Sequence, residues 1–449
     1  MRAALVAALL ALPGLARADR DPWQPGTTPQ SFAWPGGRVR VHYVTTTADA
    51  VLPTDNDGSG VPDVVEEAAR RGDESLAAFA TMGFRAPRAD GALGGDDRLD
   101  IYLKNLDGAD GSFTADSCTQ TPFTCVGHMT IENDFVGYGY PSTSLALRIL
   151  TSHELFHAVQ NAYDGDQPIQ WSEGSAVWAE EAVFPEQDDF EHLVAAFQAK
   201  PFRPFDRAGA GFGDLYPYGA GLWAYFLEAW AGAGITAAAW ARCEDTGSDP
   251  PFLTAIDDEL TARGRALTDA WIAFTRWNAR TGAFADGTSY PDAGRLAAAL
   301  RETAIAAPGA ATVIVEGFSA RYLPITGVGE SSRIEITAQR PVAIEVRAVR
   351  GDATITRVAD DVTGLTHAID VAPTGAPVDL EVVVTSAVRG GIQQDTTVAI
   401  ATHRAESSTT GSFSMCCRRI PDSHRMPPPM NISDAPSTSV AAVSTRAWP

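Results

Sequence analysis

Apolar and polar positions change their period several times along the chain, and the changes divide it. RVRVHYVTT (38–46) alternates with the two-residue repeat of a half-buried strand. From Pro62 to Met82 the repeat lengthens, and Val64, Val65, Ala68, Ala69, Leu76 and Phe79 fall on one face of a helix. RLDIYLKNL (98–106) and VGHMTIENDF (126–135) then read as two more strands. From Ser142 to about Leu300 helical spacing dominates, as in STSLALRILTSHELFHAVQNAY, YGAGLWAYFLEAW and LTDAWIAFTRWNA. From about Ala311 to Thr402 alternation returns, with β-branched residues between Gly and Pro turns, which reads as a β-sandwich of roughly 90 residues.

The expected fold class is therefore α+β: a small mixed sheet with a mostly helical half, followed by a C-terminal β-sandwich. The expected organisation is an extended Pro- and Gly-rich lead-in at 19–37, a first domain at 38–305 and the sandwich at 310–403. A Ser-, Thr- and Pro-rich tail at 404–449 reads as disordered. No internal repeat is visible.

The first residues add a compartment. Arg2, the short apolar run Ala3 to Ala16 and the small-residue site Ala16-Arg17-Ala18 form a secretory signal peptide, 1–18, cleaved after Ala18. No run approaches the ~20 apolar residues of a membrane span, so a secreted protein without stable membrane insertion is expected. The formal charge of −22 becomes about −24 once Arg2 and Arg17 are removed. An acid excess of that size repels nucleic acid and anionic membranes and is compatible with divalent cations. In an oxidising compartment Cys118 and Cys125, which bracket a short loop, are expected to pair. Cys243 reads as a small buried hydrophobe, and the adjacent Cys416 and Cys417 remain unassigned.

The candidate chemistry centres on TSHELFHAVQ (151–160). On a helix, His153 and His157 share a face and can point two imidazole nitrogens at one ion. Glu154 projects beside that face, where it can take a proton from an attacking water. A catalytic zinc ion takes three protein ligands and keeps one position open. Glu173 follows in QWSEGSAVWAEE, an otherwise apolar helical stretch in which a buried acid needs a partner. Glu180, two turns further on, is placed to hold a ligand imidazole from outside.

HELFH followed by WSEGSAVWAE resembles the gluzincin metallopeptidases, especially the aminopeptidase-N and bacterial collagenase families. The resemblance implies that His153, His157 and Glu173 bind one catalytic zinc and that Glu154 is the general base. It extends to DLYPYGAGLWAYFLE, where that family's oxyanion-stabilising tyrosine falls on Tyr218, with Tyr216 as the rival. The arrangement as a whole also resembles secreted metalloproteases of myxobacterial type. Two departures stand out: the interval from His157 to Glu173 is shorter than in the aminopeptidases, and their amine-binding G-x-M-E-N is matched only loosely by HMTIEN. Glu132 is the residue that would hold a free amino group, but an endopeptidase is the better expectation.

A second cation site is expected in PTDNDGSGVPDVVEEA. Asp55, Asp57, Ser59, Val61 (by its carbonyl), Asp63 and Glu66 occupy the ligand positions of an EF-hand-like calcium loop at 55–66, with Gly60 at the sharp turn. The alternative is a solvated acidic turn with Asp63 as helix N-cap. The expected function is a secreted zinc peptidase acting on proteins or peptides. Its rivals are a non-catalytic calcium-binding or adhesion protein on a peptidase-like fold, an aminopeptidase, and a zinc hydrolase of non-peptide substrates.

Overall fold

A computed structural model describes Arg20 and residues 23–187, 189–207, 213–244, 250–360, 364–391 and 393–402. The signal peptide, the tail at 404–449, Cys416 and Cys417 lie outside the described residues. The fold is α+β.

The N-terminal part is built on one five-stranded sheet. Part of the expected lead-in is a strand, β1 (Gln30–Ala33), which pairs antiparallel with β2 (Val39–Tyr43). Helix α1 (Asp63–Thr81) connects β2 to its parallel neighbour β3 (Leu99–Lys104), the crossover that a parallel pair requires. A hairpin follows, β4 (Gly111–Cys118) and β5 (Cys125–Glu132), closed by a disulfide between Cys118 and Cys125. The order is β1-β2-β3-β5-β4, so β4 is an edge and β5 is paired on both sides. The sequence pattern does not reveal β4, because GSFTADSC lies at the sheet margin and is mostly half-buried, with no apolar period to read.

On the face of this sheet opposite Val41 and Ile101, Arg20 places its guanidinium among Asp90, Asp100 and Asp116, all with little exposure. His42 Nε2 contacts Asp100 Oδ1 at 2.7 Å, and the His42 ring stacks on Tyr102.

The helical part runs through α2 (Thr143–Gln160), α3 (Ile169–Val183), α4 (Asp189–Gln198), α5 (Tyr216–Gly219), α6 (Gly221–Ala231), α7 (Ile235–Cys243), α8 (Phe252–Ala262) and α9 (Leu267–Asn278). Ser142 caps α2, its Oγ accepting from the Leu145 amide at 3.1 Å. Phe79 and Phe84 pack on Phe156, which in turn meets Trp178, so α1, α2 and α3 share one aromatic core. Helix does not continue to Leu300 as the spacing predicts. Residues 285–304 are turns and extended chain, held by Tyr290, whose hydroxyl donates to Asn278 Oδ1 at 2.6 Å. Gly287, in the left-handed region, and Pro291 both oppose a helix there.

Beyond it lie β6 (Ile305–Ala306), β7 (Gly309–Val315), β8 (Ser319–Val328), β9 (Ser332–Ala338), β10 (Ala343–Arg350), β11 (Ala353–Asp360), β12 (Thr366–Pro373), β13 (Val378–Ser386) and β14 (Gln394–Thr402). They form two sheets, β10-β13-β8-β6 and β11-β12-β9-β14-β7. Leu323, Val382 and Val384 from the first sheet share a buried cluster with Ile334, Ile369 and Val398 from the second. Helix α9 lies against β13, where the hydroxyls of Thr275 and Thr385 meet at 2.6 Å, and just past the helix Arg280 pairs with Glu345 of β10.

Candidate metal centre

Helix α2 is buried on nearly every side from Ala146 to Gln160, lying between the sheet edge, α1 and α3. Burial of this kind forces each polar side chain on it to find a partner. His153 and His157, one turn apart, turn their Nε2 atoms toward α3, where Glu173 meets them. Glu173 Oε2 stands 3.2 Å from His153 Nε2 and 3.5 Å from His157 Nε2. One ligand atom from each of the three residues lies within 4.8 Å of the others.

These spacings test whether zinc fits. Bonds of about 2.0 to 2.1 Å at tetrahedral angles put neighbouring ligand atoms roughly 3.3 Å apart. The two observed separations bracket that value, and the second is too long for a hydrogen bond. The donor set, two imidazoles and a carboxylate, is also one that zinc takes in hydrolytic sites.

The outward nitrogens are held as well. His153 Nδ1 contacts Glu180 Oε1 at 2.6 Å, and His157 Nδ1 contacts Gln160 Oε1 at 2.8 Å. Gln160 is itself fixed, because its Nε2 donates to the Ser172 carbonyl at 2.7 Å and to Ser175 Oγ at 3.1 Å. An oriented amide oxygen accepts from Nδ1–H, which leaves Nε2 of His157 as the bare lone pair a metal needs. Glu180 lies where the sequence places it. Gln160 is not singled out by any sequence spacing, since a glutamine at a helix end is common; its position three residues after His157 is the only signal.

The electrostatics favour a positive charge between these groups. Burial opposes protonation of His153 and His157, yet the surrounding carboxylates outweigh it and raise both above the ordinary imidazole range. Burial likewise works against an ionised Glu173, but the two histidines overcome it and hold the carboxyl well below its usual range. Glu180 is pushed up to about 8, chiefly by burial.

Glu154 is buried next to the triad, and its Oε1 has no hydrogen-bond partner among the described residues. Burial raises its affinity for a proton above that of an exposed glutamate, with the neighbouring histidines pulling the other way. The Gly111 backbone of β4 packs directly on it: a Cβ there would lie 2.9 Å from Glu154 Oε1. Asp110, also buried, accepts from the Tyr140 hydroxyl at 2.6 Å.

Tyr218 and Tyr216 separate clearly. The Tyr218 ring stacks on His153 with centroids 6.2 Å apart, and burial followed by the Glu173 and Glu154 charges keeps its phenol protonated. Tyr216 faces away, stacked on Phe197, with its hydroxyl donating to the Arg203 carbonyl at 3.3 Å.

Other candidate residues fall elsewhere. Glu132 is buried and accepts from the Leu106 amide at 2.8 Å and the Tyr138 hydroxyl at 3.0 Å, so its carboxylate ties two loops together. Asp55 and Asp57, both exposed, gather with half-buried Asp63, and Glu66 is not part of the group. Asp55 accepts from the Gly58, Ser59 and Gly60 amides and Asp57 from the Ser59 amide. Ser59 Oγ donates to the Val61 carbonyl at 3.3 Å, and Gly60 has the positive φ expected of it. Asp63 is the first residue of α1 rather than its N-cap, which is Pro62, and its carboxylate accepts from the Asn56 amide. Cys243 is buried in α7.

No family model matches the chain, and no curated protein matches it significantly.

Proposed function

We propose that this protein is an exported zinc-dependent peptidase of gluzincin type, acting on internal peptide bonds. The observation that carries the reading is the convergence of His153, His157 and Glu173 at metal-ligand spacing, with Glu154 alongside. His153, His157 and Glu173 would hold the ion. Bound there, zinc would supply Lewis acidity and lower the pKa of water toward ~7.

The remaining work belongs to the chain's own residues. Glu154, buried and with an unpartnered oxygen, takes the proton from the attacking water and delivers it to the leaving amine. Tyr218, kept protonated, donates to the carbonyl oxygen as it gains charge. Edge strand β4, with one side unpaired among the described residues, offers its backbone to an extended substrate beside Glu154. That gives the open-ended binding an endopeptidase needs, and the internal commitment of Glu132 supports endopeptidase over aminopeptidase. The disulfide of Cys118 with Cys125 ties the far end of that strand to β5.

Three further parts belong to the same reading. The 1–18 pattern supports export. The shared apolar cluster of the two C-terminal sheets supports a β-sandwich. The gathered carboxylates of Asp55, Asp57 and Asp63 support calcium binding at 55–66.

The test is hydrolysis of casein and of a peptide library by the mature protein and by Glu154→Gln. The expected outcome is zinc retained in both, with hydrolysis by the variant reduced by at least about 10²-fold. Equal rates would remove Glu154 from the mechanism.

A further inference from the structure

Away from the metal centre, α1, the loop after it, the start of β3 and Val159 of α2 line a half-open cavity of about 450 Å³. Its volume lies within the range of about 300 to 1,000 Å³ typical of small-molecule sites. Leu76, Phe79, Phe84, Leu99 and Val159 form an apolar wall, and all five are buried in the core.

Four arginines stand on the same lining, and three of them already have carboxylate partners: Arg38 with Asp73, Arg85 with Glu244, and Arg98 with Asp96. Arg88 differs. Its Nη1 donates to the Thr124 carbonyl at 3.0 Å and to the Thr124 and Thr119 hydroxyls, and no carboxylate among the described residues pairs with it. Neutral oxygens orient a guanidinium without cancelling its charge, so an anionic group gains more there than at the three paired arginines. Asp97 also reaches the lining, and like Arg88 it is exposed, so water screens both charges and the preference for an anion rests on direct hydrogen bonds from the Arg88 guanidinium.

An apolar wall with one uncompensated guanidinium selects a ligand with an aliphatic body and an anionic head. We infer that this cavity binds a medium-chain aliphatic carboxylate, its tail against Leu76, Phe79 and Phe84 and its head at Arg88. The site is independent of the zinc reading and stands or falls without it. Phe79 and Phe84 pack on Phe156 of α2, with ring centroids 5.1 and 5.0 Å away, so an occupant adds to the core that holds the zinc helix. Because it binds the folded state, it raises the melting temperature by mass action.

Calorimetric titration of the mature protein with octanoate, and with octanol as a neutral ligand of equal chain length, tests this. Octanoate is expected to bind saturably at one equivalent, about tenfold or more tighter than octanol. Arg88→Gln should remove that preference and leave octanol binding unchanged. Ala80→Trp, at an exposed position on the same lining, should fill the cavity and weaken both ligands at least about tenfold while the circular dichroism spectrum stays the same. No saturable octanoate binding at millimolar concentration, equal affinity for octanoate and octanol, or octanoate affinity unchanged in both variants would each overturn the inference.

Discussion

At the scale of single residues, what can be read from sequence is what spacing encodes. His153, Glu154 and His157 stand out because a helix puts offsets of one and four at fixed angles. Glu173 is legible because an acid in an apolar helix must be paired, and Tyr218 only through resemblance to a family. Gln160 has no such signature, yet it fixes His157 through one hydrogen bond and is itself held by Ser172 and Ser175. Removing an outer partner of a ligating histidine typically costs about 10- to 100-fold in metal affinity. Gln160→Ala should therefore weaken zinc binding by roughly that factor in a chelator competition. The loss should appear with the helical circular dichroism signal unchanged, because the side chain is replaced without opening the helix backbone.

The elements place these residues through contacts that a one-dimensional pattern does not contain. Strand β4 carries no alternation, but its position at the sheet edge brings Gly111 onto Glu154. Gly174, one residue after Glu173, has a comparable role. A Cβ on it would meet the Ala220 carbonyl carbon at 3.0 Å and the Gly221 amide at 3.1 Å, and a Cβ on Gly221 would meet the Gly174 carbonyl at 2.7 Å. Helix α3, which carries Glu173, thus touches the junction of α5 and α6, which carries Tyr218, at backbone distance. Gly174→Val should force that contact apart, lowering stability by about 1 to 3 kcal/mol in a denaturant melt. It should also lower hydrolysis and zinc occupancy together, since α3 carries Glu173 as well as the contact with the Tyr218 segment. The glycine is visible in the motif, but its reason lies in a contact between segments some fifty residues apart.

For the molecule as a whole, the α+β class and the change from helical to alternating pattern near residue 305 are legible, because each block keeps its own period for many residues. The chain from 285 to 304 is not, since buried Tyr290, Ala293, Leu296 and Ala299 recur at helix-like spacing in a segment that is irregular. Nor is the role of Arg20, which lies close after the expected cleavage site and is buried against Asp90, Asp100 and Asp116 on the N-terminal sheet. Removing one partner of a buried ion pair leaves uncompensated charge and costs about 3 to 5 kcal/mol. Arg20→Ala should lose stability of that order by chemical denaturation.

The central claim is that three side chains from two helices make one zinc site, and direct titration of the metal-free mature protein with zinc addresses it most plainly. One tight equivalent is expected for the unmodified chain, and that equivalent should be lost in His153→Ala. Binding at least about 10²-fold weaker is expected in Glu173→Ala, because a three-ligand site then keeps only two. Unchanged affinity in Glu173→Ala, or a tight equivalent surviving in His153→Ala, would contradict it.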